Sequence, residues 1–172
     1  MMKRIFAIFI AMSVLVLVSP SCTVSLSGAS IPPGLKTINV EYFENNSPLV
    51  VNYLSQQFTE ALKDRIRSTT SLSIVQGEAN ASLSGSITNY VIEPISIQST
   101  NNNVPPIAGA QRLTITVNVI YTNTVDKKLN FTQAFPAHAD FTGNISDQEQ
   151  KLITTINKQL TEDIFNRAFA NW

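Results

Sequence analysis

The feature that most constrains this chain is the position of its single cysteine, Cys22, at the end of an apolar run near the N-terminus. Lys3 and Arg4 precede residues 5–18, which are apolar apart from Ser13. A basic start followed by an apolar stretch of this length has the form of a secretory signal, and it falls short of the roughly 20 residues a helix needs to cross a bilayer. Residues 1–21 are therefore expected to direct export and to take no part in the fold. With one cysteine no internal disulfide can form, so the domain must be held by its core alone. The 151 residues from Cys22 onward suffice for one domain that buries a core without cross-links.

Ser19, Pro20 and Ser21 are small or turn-forming and run directly into Cys22. The arrangement resembles a bacterial lipoprotein signal, in which the cysteine becomes the first residue of the processed chain and its sulfur carries a diacylglyceryl group. That resemblance implies lipidation at Cys22, which consumes the thiol, and stable anchoring, because several acyl chains hold where one is marginal. Thr23 follows the cysteine and no acidic run comes after it. The expected address is the periplasmic side of the outer membrane.

Processing would remove Lys3 and Arg4, leaving ten basic against twelve acidic side chains. A net charge near −2 argues against general nucleic-acid binding, which needs a basic face. Residues 22–34 form a polar, lipidated leader closed by Pro32, Pro33 and Gly34, and residues 35–172 form a single domain.

Within the domain, periodicity predicts a strand over 36–43. Ser47 as N-cap and Pro48 at the first helical position then predict a helix to about Arg67, with Val50, Leu54, Phe58, Ala61, Leu62 and Ile66 on its buried face. Further strands are expected at 71–75 and at 82–92, where Leu83, Ile87 and Val91 alternate with Ser84, Ser86 and Thr88. Residues 94–111 read as an unusually long loop. Strands at 112–121 and 129–139 follow, joined by a turn at 123–128. Ser146 and Glu149 have the spacing of a capping box that opens a final helix ending at Trp172. The order β-α-β-β-β-α predicts an α+β two-layer sandwich, with two helices packed on one face of a mostly antiparallel sheet of about four strands.

Candidate chemistry is sparse. His138 with Asp140 two residues on lacks any nucleophile motif beside it, and the pair reads as strand-end surface. Asp147 and Glu149 read as first-turn helix charges. The glycines are scattered and form no phosphate loop. No catalytic residue, metal site or cofactor is expected. What remains is surface: Thr114, Thr116 and Asn118 on one strand, Ser84, Ser86 and Thr88 on a second, Asn130 and Thr132 on a third. Such a hydroxyl-and-amide face is either simply solvated or a wet contact surface, since uncharged groups meet a partner without the desolvation cost of charges. Arg112, Lys127 and Lys128, at the ends of two adjacent strands, are candidates for an anionic group such as a lipid phosphate.

Four stretches taken together, SGASIPPGLKTINVEYFEN (27–45), LSQQFTEALKDRI (54–66), RLTITVNVIYTN (112–123) and QLTEDIFNRAFANW (159–172), resemble in their order the LptE family of outer-membrane lipoproteins in the form found in Bacteroidetes. The resemblance implies an α/β sandwich without catalysis that assembles with and plugs an LptD-type outer-membrane β-barrel, and that assists lipopolysaccharide transport to the outer leaflet. It assigns no lipopolysaccharide-contact residues. The same features would also suit a periplasmic lipoprotein module that binds another envelope protein, or a small ligand with the 94–111 loop as lid.

Overall fold

The structure, a computed structural model, describes residues 31–49, 51–95 and 109–170. The expected signal peptide, Cys22, Val50, Trp172 and the body of the 94–111 segment lie outside the described residues. Six strands and two helices follow one another as β1 (Thr37–Val40), β2 (Glu44–Asn45), α1 (Leu54–Thr69), β3 (Ser73–Ile74), β4 (Ala81–Pro94), β5 (Ala110–Asn123), β6 (Phe131–Thr142) and α2 (Glu149–Phe169).

The sheet is six-stranded and mixed, in the order β3-β1-β4-β5-β6, with β2 also on β4. This corrects the expectation of about four mostly antiparallel strands. β4, β5 and β6 form the expected antiparallel meander. β1, β2 and β3 add short parallel pairings that periodicity does not reveal. Two-residue strands such as β2 and β3 have no alternation to read, and the direction of pairing is set by the crossover through α1.

Both helices cover one face, as expected. The stripe of α1 is Leu54, Phe58, Leu62 and Ile66, without the expected Ala61, which is only partly buried, and that of α2 is Ile153, Ile156, Leu160, Ile164 and Ala168, joined by Phe165 and Phe169. They bury the inward residues Leu113, Ile115, Val117, Val119 and Tyr121 of β5, with Leu83, Ile87 and Tyr90 of β4. β6 is an edge strand, which is where Pro136 is tolerated, because a residue without an N–H breaks an internal ladder.

Two local expectations fail. α1 begins at Leu54, six residues past Pro48, and Ser47 does not cap it. The Ser47 hydroxyl lies 2.6 Å from both Asn45 Oδ1 and the Leu49 carbonyl, so it closes a local turn instead. Nor does the Ser146/Glu149 capping box form. Asn144 Oδ1 accepts from the Ser146 N–H in a 3-10 turn over Ile145–Asp147, and α2 starts at Glu149 without a side-chain cap. Glu149 is engaged elsewhere: Tyr53 OH donates to its Oε2 at 3.0 Å and Tyr90 OH to its Oε1 at 2.8 Å. A carboxylate with two phenol donors gains more than it would from a reciprocal cap.

Candidate functional site

With both helices on the inner face, the outer face of the sheet has no helix over it among the described residues. Its composition follows from strand alternation and from one irregularity. The β4–β5 register passes from Ile87↔Val117 to Asn89↔Thr116, which leaves Thr88 as an extra residue in a β-bulge. The bulge turns Tyr90 inward and Val91 outward, so Val91 does not share the face of Leu83 and Ile87 as alternation alone predicts. Thr88 stays exposed and its hydroxyl donates to the Thr116 carbonyl at 3.3 Å.

Across the outer face the side chains stand in rows. Thr114 lies between Val91 and His138, Thr116 between Asn89 and Pro136, Asn118 between Ser86 and Ala134, and Ile120 between Ser84 and Thr132. The structure thus brings Thr114, Thr116, Asn118, Ser84, Ser86 and Thr132 onto one surface, with Thr88 at its bulge. From Ser82 and Thr122 at one end to Val91 and His138 at the other, the outward positions of β4, β5 and β6 carry no Asp, Glu, Lys or Arg. At strand and residue spacings of about 4.8 and 3.3 Å, this area is roughly 15 Å wide and 30 Å long.

Along β4, β5 and β6 charge gathers at the ends, while Glu44 of β2 stands beside Ser86 at the flank of this area. Glu93, Arg112 and Asp140 form the row beyond Val91 and His138. Arg112 donates to Asp140 twice, Nε to Oδ1 at 2.6 Å and Nη2 to Oδ2 at 2.9 Å. That fork holds the Asp140 carboxyl below the ordinary carboxylate range and raises the Arg112 guanidinium further. His138 is exposed opposite Thr114, while the Asp140 carboxylate faces Arg112. No Ser-His-Asp relay is assembled among the described residues.

Lys127 and Lys128 sit in the β5–β6 turn, at the other end of β5. The turn is built by asparagines. Asn123 Oδ1 accepts from the Val125 and Asp126 N–H groups at 2.9 Å each, Asn130 Oδ1 from the Asn123 N–H at 2.6 Å, and Asp126 Oδ1 from the Lys128 N–H at 3.0 Å. Asn80 ties this end to β1, its Oδ1 accepting from the Lys36 and Thr37 N–H groups and its carbonyl from Thr124. Arg112 near the start of β5 is therefore on the order of 35 Å from the two lysines. The three cations expected to act together are not brought together.

The helices enclose a second feature, an open groove of about 610 Å³ between α1 and α2, on the side away from the sheet. Gln57 Oε1, Arg65 Nε and Asn157 Oδ1 on its walls have no hydrogen-bond partner among the described residues. Neither this seam nor the Tyr53-Glu149-Tyr90 cluster was legible from the sequence, because each joins residues far apart in the chain. Among the described residues there is no group of three or more His, Cys, Asp and Glu placed to hold a metal ion. No described helix is long and apolar enough to cross a membrane.

Residues 35–168 match the family described as LptE, Lipopolysaccharide-assembly. No curated protein matches in sequence. Among solved structures the chain is similar to a minor lipoprotein from Acinetobacter baumannii, at TM-score 0.50 and 12% identity, over 77% of this chain and 91% of the other. It is similar to a hypothetical protein from Chlamydia trachomatis at TM-score 0.50 and 9% identity, over 80% and 99%. A candidate neuraminyllactose-binding hemagglutinin homologue from Helicobacter pylori matches at TM-score 0.51 and 12% identity, over 82% and 87%. At these identities the structural likenesses speak for the fold alone.

Proposed function

The chain belongs to the LptE family of lipopolysaccharide-assembly proteins, and from that premise we propose that it is a non-catalytic lipoprotein of the outer membrane that assembles with and plugs an LptD-type β-barrel. Cys22 would carry the lipid anchor on the periplasmic side. The observation that carries the barrel reading is the sheet face opposite the helices, whose central positions on β4, β5 and β6 carry no formal charge. A barrel lumen is lined by polar side chains. Hydroxyls and amides such as Thr88, Thr114, Thr116, Asn118 and Thr132 can exchange water for such a wall without stripping solvent from a charge. The flat area, roughly 450 Å² from its dimensions, is about half of one partner's share in a standard interface. The contact would therefore continue onto loops or edges.

Lipopolysaccharide contacts belong to the same proposal. Lys127 and Lys128 present ammonium groups with no ion pair among the described residues, whereas an anion at Arg112 would have to displace Asp140. A second reading, a small-ligand module, draws on the groove between the helices with its unpartnered polar atoms. Its ligand would then sit between α1 and α2.

The test is recovery of the full-length, C-terminally tagged protein from detergent-solubilised outer membranes, followed by mass spectrometry. A large β-barrel in stoichiometric amount is the expected companion. Recovery of the protein alone would sink the plug reading and favour the independent module.

A further inference from the structure

The outer sheet face is rich in hydroxyls and amides over β4 and β5, with Ile120 the apolar outward residue of β5 and Ala134 and Pro136 those of β6. Ile120 leaves 41% of its surface exposed at an outward position, between Ser84 and Thr132. Ala134 occupies the next outward position along β6, diagonal to Ile120, and Pro136 the one after; both are exposed. Diagonal neighbours in an antiparallel pair are about 7–8 Å apart, close enough for one partner side chain to touch both. A lone exposed isoleucine on a solvated surface needs no explanation. Here its setting differs, because none of the outward positions around it is charged. An apolar group among uncharged polar neighbours is the composition of an interface core, whereas a free surface mixes charges of both signs.

We propose that Ile120, with Ala134 diagonal to it and Pro136 one outward position further along β6, is the apolar anchor that seats the barrel wall on this face. The partner would present a shallow apolar depression ringed by uncharged polar side chains. This rests on the reading that the face meets a β-barrel, and it adds which residues hold the contact and by which mode. The mode is face to face through side chains. Pro136 contributes no N–H to the edge of β6, which makes strand addition there the poorer route.

The test uses the full-length tagged protein expressed in its own membrane, with barrel recovery quantified for the wild type, Ile120→Asp, Ile120→Val and Thr122→Asp. Thr122 is exposed, on the same strand and face, one outward position further toward the end. Anchor residues at interface centres dominate binding, so Ile120→Asp should cut barrel recovery roughly tenfold or more while Thr122→Asp changes it less than about twofold. Ile120→Val should recover the barrel as the wild type does. Equal losses from both aspartates, or none from either, would overturn the anchor while leaving the barrel reading intact. A wild type that brings no barrel would overturn that reading itself. Thermal unfolding of each purified variant reports whether the aspartate has damaged the fold. Independently of it, a photo-crosslinking phenylalanine at position 120 should form an adduct with the barrel that the same group at Thr154, on α2, does not. An adduct only from position 154 would overturn the proposal.

Discussion

At position 85 the chain runs at φ +150°, and an added Cβ would overlap the Asn118 carbonyl of the neighbouring strand and press on the Phe43 ring. Phe43 is fully buried, stacked edge-on against Phe58 at 5.1 Å between ring centres, so it has little room to yield. Gly85→Ala should therefore cost on the order of 3 kcal/mol in urea unfolding, the scale of a strained backbone plus overpacking. Gly77→Ala, at φ +85° but with nothing within 4 Å, should cost only about 1 kcal/mol from conformation. Similar losses at both sites would show that crowding is not the cause at Gly85. A second residue-scale effect concerns Tyr90. Burial first, and then the hydrogen bond to Glu149, raise its pKa in the folded chain. A raised folded value adds stability that is complete below the unfolded tyrosine range near pH 10 and is lost as the pH climbs above it. Tyr90→Phe should lose about 2 kcal/mol at neutral pH, with the charged acceptor left short of a donor. Its unfolding midpoint should then fall less steeply than the wild type's between about pH 10 and 11.

At the scale of elements, the sequence was most legible where alternation or a helical stripe ran long. β5 and the stripes of both helices stand where periodicity placed them, apart from Ala61, which lines the groove between the helices on the side away from the sheet. It was least legible where a side chain had a competing partner. Ser47 and Ser146 both have the spacing of helix caps, yet one closes a turn with Asn45 and the other sits inside a 3-10 turn that Asn144 caps. Ser146→Ala should therefore cost far less than the roughly 1 kcal/mol of a lost cap, whereas Asn144→Ala should approach it in thermal or urea unfolding. The same reasoning applies to the candidate site. Strand alternation identified Thr114, Thr116 and Asn118 as one surface, but it could not place the bulge at Thr88 that sends Val91 out and Tyr90 in. Nor could it show that Arg112 and the two lysines occupy opposite ends of one strand, since that depends on where β5 stops and its turn begins. Deleting Thr88 would let Asn89 follow Ile87 in regular alternation with the pairings Ile87↔Val117 and Asn89↔Thr116 unchanged, so Tyr90 would keep its inward place beside Glu149. The isolated protein should then stay folded, within about 2 kcal/mol of the wild type in urea unfolding, whereas a larger loss would mean that the local twist of the bulge supports the fold.

For the whole molecule, the layering separates what holds the fold from what can meet a partner. The helices and the inner sheet face make the core, so a charge on the outer face should leave the core untouched. Thr116→Glu accordingly should keep the unfolding midpoint of the purified protein within a few degrees and reduce barrel recovery, while a matched loss of folding would mean that position 116 supports the core. The separation of charge along β5 makes a further prediction. Over about 35 Å, several Debye lengths at physiological salt, Arg112 and the lysines of the β5–β6 turn act independently. Asp140 already neutralises Arg112, whereas Lys127 and Lys128 offer two ammonium groups against the single nearby carboxylate of Asp126. Flotation with lipopolysaccharide-containing vesicles should therefore fall several-fold in the Lys127→Ala, Lys128→Ala double variant, and added salt should shrink the difference. Arg112→Ala should bind as the wild type does, and it should also lose stability that depends on pH. The Asp140 carboxyl is held low in the folded state, so its contribution is present above the unfolded carboxylate range and disappears as the pH falls through the folded value. If Arg112→Ala instead lowered vesicle binding as far as the lysine pair, the anion would be contacting the far end of the sheet, and Asp140 would have to release the guanidinium when lipid arrives.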